Sequence, residues 1–323
     1  MTTAQPESQG SMFDTTIEHQ EGSGFVRSLL APLRWMRDYP TLWAGLFLLA
    51  FMVLFGIVGS QFVDPELARA GTVEIDLSPG QTVDYRVKGE DRSAFSVLGT
   101  DSQGRDVWAV TMLGTPLTIY VGFLAALIGM TIGTVLGFIG GFYGGIVDNF
   151  FKSFADMLIT VPVLMILVVV AVTLKSSIDV TQQALIISAF VWMWPLRTIR
   201  AQVLSMRERA YISVAQISGA NTLEVIFLEM LPNLLPFLAA SLATAVATAM
   251  LTTIGMDALG LGPQNQPTLG NTIYWALFYS APFRGIWWWW TPPVLALALV
   301  FGSLYLITAG LDPLANPRLR RQV

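Results

Sequence analysis

Apolar residues run along this chain in long blocks broken by short polar stretches, without the 3.6-residue alternation of a surface helix. Residues 42–62 form the first block, about 20 residues long, which is the length that crosses roughly 30 Å of hydrocarbon. Further blocks cover residues 110–142, 154–174, 183–196, 234–254 and 287–309. The pattern predicts an all-α, polytopic transmembrane protein with about six helices. The second block exceeds one span, and its end carries Gly129, Gly133, Gly137, Gly140, Gly141, Gly144 and Gly145. Such small residues predict close helix contact followed by a tight turn.

Polar stretches give the organisation. Residues 1–24 are too poor in apolar side chains to offset their ordering entropy and read as a disordered tail. Residues 25–38 set Phe25, Leu29, Leu30, Leu33 and Trp35 among Arg27, Arg34 and Arg37, a pattern for a helix lying in the membrane interface before the first span. Basic residues orient the chain. With the N-terminus inside, the inner segments hold Arg27, Arg34, Arg37, Lys152, Arg197, Arg200, Arg207 and Arg209, then Arg318, Arg320 and Arg321 in the tail 310–323. Short outer loops hold only Lys175 and Arg284. Both termini are therefore expected in the cytoplasm. The long outer segment, residues 63–109, alternates apolar and polar positions at Val73, Ile75 and at Val83, Tyr85, Val87 around Ser78-Pro79-Gly80, which predicts a small extracytoplasmic β-hairpin.

Composition agrees with a lipid solvent: 54% of the residues are hydrophobic and 12% charged, half the charged fraction of an ordinary soluble domain. A net charge of -4 with no basic stripe argues against a nucleic-acid partner. The chain has no cysteine, and its one histidine, His19, sits in the polar tail. Disulfides, thiolate sites, a Ser-His triad and a His-rich metal site are thereby excluded. No stretch fits the phosphate-binding loop, so ATP hydrolysis by this chain is not expected.

The most informative polar stretch is Met206 to Asn233, MRERAYISVAQISGANTLEVIFLEMLPN. It is helix-compatible up to Gly219, where a glycine permits a sharp turn. It resembles the cytoplasmic loop of binding-protein-dependent ABC importers, in the form found in dipeptide and oligopeptide permease subunits. Arg207, Glu208, Arg209, Tyr211, Ala215, Gly219, Ala220, Leu231, Pro232 and Asn233 match that pattern; Ala210, Ile212, Ser213, Val214 and Glu229 depart from it. The resemblance implies a type I-like ABC importer fold in which Arg207, Glu208, Tyr211, Ser213, Ala215, Gly219, Ala220 and Pro232 belong to a coupling loop, residues 206–222, seated on an ATPase. Ser213 replaces a glutamate, which removes one polar contact expected there.

Other segments are similar to the same family. Leu98 to Trp108, LGTDSQGRDVW, matches the stretch before its second helix, where Asp101, Arg105 and Asp106 are expected to form an ion-pair cluster beside Gly99 and Gly104. Leu259-Gly260-Leu261-Gly262-Pro263 matches an L-G-L-G segment, and the ending Asn316-Pro317-Arg318-Leu319-Arg320 resembles D-P-R-L-R. Trp287 to Trp290 read as an interfacial aromatic belt, with ligand stacking as the alternative. Ionisable residues at span edges are candidates for function. Asp156 is expected beside an Arg or Lys near the inner surface, and Asp257, near the outer mouth, is the candidate to face a translocation path.

The resemblance further implies the working assembly: a second, homologous permease subunit, two ATP-binding cassette subunits carrying ATP and Mg, and an extracytoplasmic substrate-binding protein, with this chain binding no cofactor and sitting as a multi-pass protein in the cytoplasmic (inner) membrane. The permease core would span residues 110–309 and form half of a path for dipeptides or oligopeptides. Oligosaccharides are an alternative cargo within the same type. A self-sufficient secondary transporter is the alternative of a different class, though it calls for intramembrane coupling residues and repeated halves, neither of which is evident.

Overall fold

The computed structural model describes residues 39–87, 89–174 and 178–315. The tail, His19, the segment 25–38, Lys175 and the C-terminal motif from Asn316 lie outside the described residues. Ten helices are numbered here: α1 (Pro40–Gly59), α2 (Val107–Tyr143), α3 (Gly145–Ile159), α4 (Val163–Leu174), α5 (Val180–Val191), α6 (Met193–Arg207), α7 (Ala210–Ile217), α8 (Thr222–Ala258), α9 (Leu269–Phe278) and α10 (Trp287–Ala315).

Each expected apolar block is helical, but the blocks differ in how they cross. Among the described residues, α1, α2, α8 and α10 are long and apolar enough to span a membrane alone. The third block is broken: α3 and α4 meet at 77° and pass the same test only as a pair, which raises the count to five. Pro162 sits at the break, where it lacks an N–H and disfavours helical conformation in the residue before it. The fourth block, residues 183–196, is divided between the 12-residue α5 and the start of α6, with only Trp192 between the two helices.

Helix α2 is the axis of the bundle. Its 37 residues extend about 55 Å at 1.5 Å per residue. Gly129, Gly133, Gly137 and Gly141 fall on one side at intervals of four; Gly129 presses against Val191 at the end of α5 and the other three against α6 and the Trp192 just before it. A Cβ at Gly133 would lie 2.6 Å from the Trp192 carbonyl oxygen and 2.7 Å from Pro195, so only glycine permits this approach. The other end of α2 receives α1, where Gly56 abuts the ring of Pro116. Helix α10 closes the bundle against α1 and α8 through a core that includes Val121, Ala249, Met250, Val300 and Leu304.

Residues 60–106 form a cap over one end of the bundle. Strands β1 (Gln81–Val87) and β2 (Glu90–Ser96) pair antiparallel, with Val87 opposite Glu90. The hairpin is present, but its strands join between Val87 and Glu90, where Gly89 has φ +90°, and not at Ser78-Pro79-Gly80. The alternation at Val83, Tyr85 and Val87 did mark β1. Its partner was hidden because β2 sets Glu90 and Arg92 opposite Val87 and Tyr85 and leaves Phe95 exposed, whereas Val73 lies outside the sheet and packs with Leu67, Val83 and Val110.

At the foot of this cap the expected ion pair forms between Asp101 and Arg105, whereas Asp106 stands outside it and serves as a helix cap. Arg105 Nε donates to Asp101 Oδ2 at 2.7 Å, with both side chains buried. Asp106 caps α2 by accepting from the Ala109 amide at 2.8 Å, and Ser96 donates to its other oxygen. Burial pushes the carboxyls of Asp101 and Asp106 above the usual aspartate range, against hydrogen bonds from Arg105 and Ser96, respectively, that pull the other way. Arg284, from the α9–α10 loop, ties the cap to the bundle by pairing with Asp76 and donating to Ser102 at 2.8 Å. Of the four consecutive tryptophans, only Trp287 is exposed. Trp289 is fully buried against Tyr279, and Trp288 donates to the Thr100 carbonyl at 3.2 Å. The expected belt is thus largely internal packing, because α10 enters beneath the cap.

Candidate functional site

At the end of the bundle opposite the hairpin, the chain leaves α6, makes the short helix α7 and turns back into α8. Arg207 anchors the departure: its Nη1 donates at 3.0 Å to the carbonyl of Phe142, one of the unpaired acceptors at the C-terminus of α2. Its contact with Glu208, at 3.5 Å and exposed, adds little. Ile212 is fully buried among Val203, Met206, Val225 and Met230, so α7 is held to the bundle by one apolar anchor. Tyr211 and Ala215 flank that anchor, half-buried, while Ser213, Val214 and Ile217 face outward.

The turn after α7 follows from its residues. Gly219 adopts φ +91°, a region that side chains disfavour, and a Cβ there would meet nothing within 4 Å. The amides of Gly219 and Ala220 donate to the carbonyls of Gln216 and Ala215, both at 3.1 Å, and close the end of α7. Asn221 and Glu224 then exchange side-chain and backbone hydrogen bonds at 2.9 and 2.8 Å, a capping box that starts α8. Residues Val225–Met230 widen into a π turn just before Pro232, whose missing N–H breaks the helical ladder. Pro232 is exposed. The eight expected loop residues therefore share one end of the molecule, with Arg207 through Ala220 contiguous and Pro232 on the returning helix.

Two ion pairs support this end. Arg200 on α6 makes a two-pronged pair with Asp148 on α3. Arg197 lies 3.5 Å from Asp156, the basic partner that sequence reasoning expected for this aspartate. The Arg200–Asp148 pair was not anticipated; its signal was the lone Asp148 directly after the glycine turn that starts α3.

Between α4, α5, α6, α8 and α10 lies a cleft of about 490 Å³. Phe190, Trp194 and Phe237 line it, facing a row of hydroxyls at Thr244, Thr248 and Thr252 on α8, with Asp312 of α10 at one end. Asp257 does not line this cleft. Its side chain is fully buried and accepts hydrogen bonds from Gln183 Nε2 on α5 at 2.7 Å and from Thr268 Oγ1, the cap of α9, at 2.8 Å. Gly262 and Gly270 close over the carboxylate with no room for a Cβ. The expectation that Asp257 faces a path is corrected to a positioning role: a carboxyl this buried needs hydrogen-bond partners, and here donors from α5 and from the cap of α9 meet its two oxygens. The hydroxyl row was missed because threonine at four-residue spacing in an apolar helix reads as ordinary packing.

Residues 133–321, more than half of the chain, match the family model described as binding-protein-dependent transport system inner membrane component. The chain belongs to this family. Curated relatives extend the likeness beyond that segment. The dipeptide transport system permease protein of Bacillus subtilis (strain 168) is 27% identical over 290 residues, covering 86% of this chain and 82% of its own length. The oligopeptide transport system permease protein of Lactococcus lactis subsp. cremoris (strain SK11) is 30% identical over 211 residues, 65% of this chain and 71% of its own. The glutathione transport system permease protein of Pectobacterium atrosepticum is 27% identical over 291 residues, 89% of this chain and 90% of its own. As a family member, the permease is a multi-pass membrane protein and a transport component. The matched segment takes in the α6–α8 loop and every residue that lines the cleft, whereas the hairpin cap lies before it.

Proposed function

We propose that this chain is one of two homologous permease subunits of an ATP-driven importer of dipeptides or oligopeptides. The observation that carries the reading is the α7 loop: a helix with one buried anchor, an outward face of Ser213, Val214 and Ile217, and a glycine-dependent turn leading directly into a spanning helix. Such a unit is built to be gripped from outside and to pass displacement to α8. Two separate ATP-binding cassette subunits, carrying ATP and Mg, would bind this face. A substrate-binding protein would deliver cargo at the hairpin end, which makes that end extracytoplasmic and places both termini in the cytoplasm.

In this scheme, closure of the ATPases moves α7, and Arg207 and the Arg200–Asp148 pair carry the movement to α2 and α3 as well as α8. The driving force is the difference in contact energy of the loop with the ATPases in their two states. Peptide cargo is supported by the relatives that carry dipeptide, oligopeptide and glutathione in their names. Affinity purification in mild detergent tests the reading. Recovery of a second permease and two ATPase subunits, with binding-protein-dependent peptide uptake after reconstitution, is the expected result. A chain that moves solute alone down an ion gradient would overturn it.

A further inference from the structure

The cleft has a chemical bias that its outline alone does not convey. Five threonines line it, and each hydroxyl proton is already committed to its own helix. Thr244, Thr248 and Thr252 donate to the carbonyls of Ala240, Thr244 and Thr248 at 3.1, 2.9 and 2.9 Å. Thr198 and Thr308 do the same toward Trp194 and Leu304. A hydroxyl that donates backward presents only lone pairs to the cleft, so these groups act there as acceptors. Asp312 adds a carboxylate, Phe190, Trp194 and Phe237 add aromatic rings of the kind that attract a cation, and no lysine, arginine or histidine lines the space among the described residues. The volume, about 490 Å³, lies in the range of small-molecule sites.

We infer that this cleft is the half of the translocation path that receives the protonated amino end of a peptide, leaving its carboxylate to the other permease. The inference rests on the peptide-importer reading and deepens it. An ammonium group brings three N–H donors and a positive charge, which match acceptor hydroxyls, a carboxylate and aromatic faces together. A free carboxylate would meet lone pairs and another negative charge. Among the described lining residues, the donors left for a carboxylate are the Trp194 indole N–H and the Ser241 hydroxyl, both neutral.

The test uses the reconstituted complete transporter with its binding protein. Two dipeptides, one with a diazirine in the amino-terminal residue and one with it in the carboxyl-terminal residue, are photolysed during turnover, and adducts are mapped by mass spectrometry. The amino-end probe is expected on α6 and α8 of this chain and the carboxyl-end probe on the other permease. In addition, Asp312→Asn, which keeps an acceptor oxygen but removes its charge, is expected to lower dipeptide uptake roughly tenfold, with Asp312→Glu retaining uptake. Uptake with the reverse labelling, with equal labelling, or with the cleft unlabelled because the other permease fills it overturns the inference and leaves the importer reading standing. Absence of any peptide uptake removes the peptide reading and the inference with it.

Discussion

Asp257 on α8 accepts a hydrogen bond from Gln183 on α5 at 2.7 Å across 74 residues of chain, and its second oxygen holds Thr268 at the start of α9. One carboxylate thereby fixes three helices at the hairpin end. Gln266 reinforces the junction by accepting from the amide of Val180, an otherwise unpaired donor at the start of α5. Asp257→Leu would strand two buried donors at about 1–3 kcal/mol each. The assembled protein is expected to melt at clearly lower temperature in detergent, with Asp257→Asn intermediate. A second substitution, Gln183→Leu, should cost less in the Asp257→Leu background than alone, since the partners share one interaction. Full additivity would show that the clamp carries no coupling.

The contact between α2 and α6 depends on glycine. Gly133→Val would drive a branched side chain into the Trp192 carbonyl and Pro195, both closer than 3 Å to a Cβ at that position. Overpacking of this kind costs roughly 1–3 kcal/mol and is expected to lower the yield of assembled permease. Gly302→Ala, on α10, meets nothing within 4 Å and serves as the control. Equal loss in both variants would remove close packing as the cause.

Much of this architecture was legible in the sequence because lipid imposes simple rules: a block of about 20 apolar residues must be helical to satisfy its backbone. The glycine-rich end of α2, the Gly219 turn and the Asp101–Arg105 pair were all readable, since each depends on residues close in sequence. What escaped depends on pairing across the fold. The partner of β1 could not be chosen from alternation, because β2 places Glu90 and Arg92 on the face of Val87 and Tyr85 and leaves Phe95 exposed. Asp257 looked like a path residue because an intramembrane carboxylate usually marks one, and only the positions of Gln183 and Thr268 reveal it as a clamp. Trp289 likewise reads as interfacial until the cap is seen to cover it.

The foot of the cap has a pH dependence with a definite sign. Burial raises the Asp106 carboxyl above the usual aspartate range, so the folded protein takes up that proton more readily than the unfolded chain. Stability from this group is therefore lowest where both states are ionised, rises as pH falls through the raised value, and is fully gained below the unfolded one. Asp106→Asn keeps a capping side chain for α2 and cannot titrate. The melting temperature of the wild type relative to this variant is expected to increase between neutral pH and pH about 4. A constant difference across that range would mean that Asp106 does not titrate differently in the two states.

Gly219 allows the function of the α7 loop to be separated from its folding. Its φ of +91° strains any side chain, yet a Cβ there meets no neighbour, so substitution costs backbone strain of about 1–2 kcal/mol and no clash. The turn stands between α7 and α8, so relaxing that strain would change the angle at which α7 is presented while leaving the spanning helices inserted. Gly219→Asp is expected to leave membrane levels and copurification of the other subunits near wild type but to lower peptide uptake per ATP hydrolysed. Gly219→Asn tests the cause, because asparagine tolerates positive φ better than most residues and should recover part of the coupling. Equal uptake per ATP in Gly219→Asp and wild type at matched expression would show that this turn does not transmit closure of the ATPases. A deficit in Gly219→Asn as deep as in Gly219→Asp would place the effect in the side chain and not in the backbone.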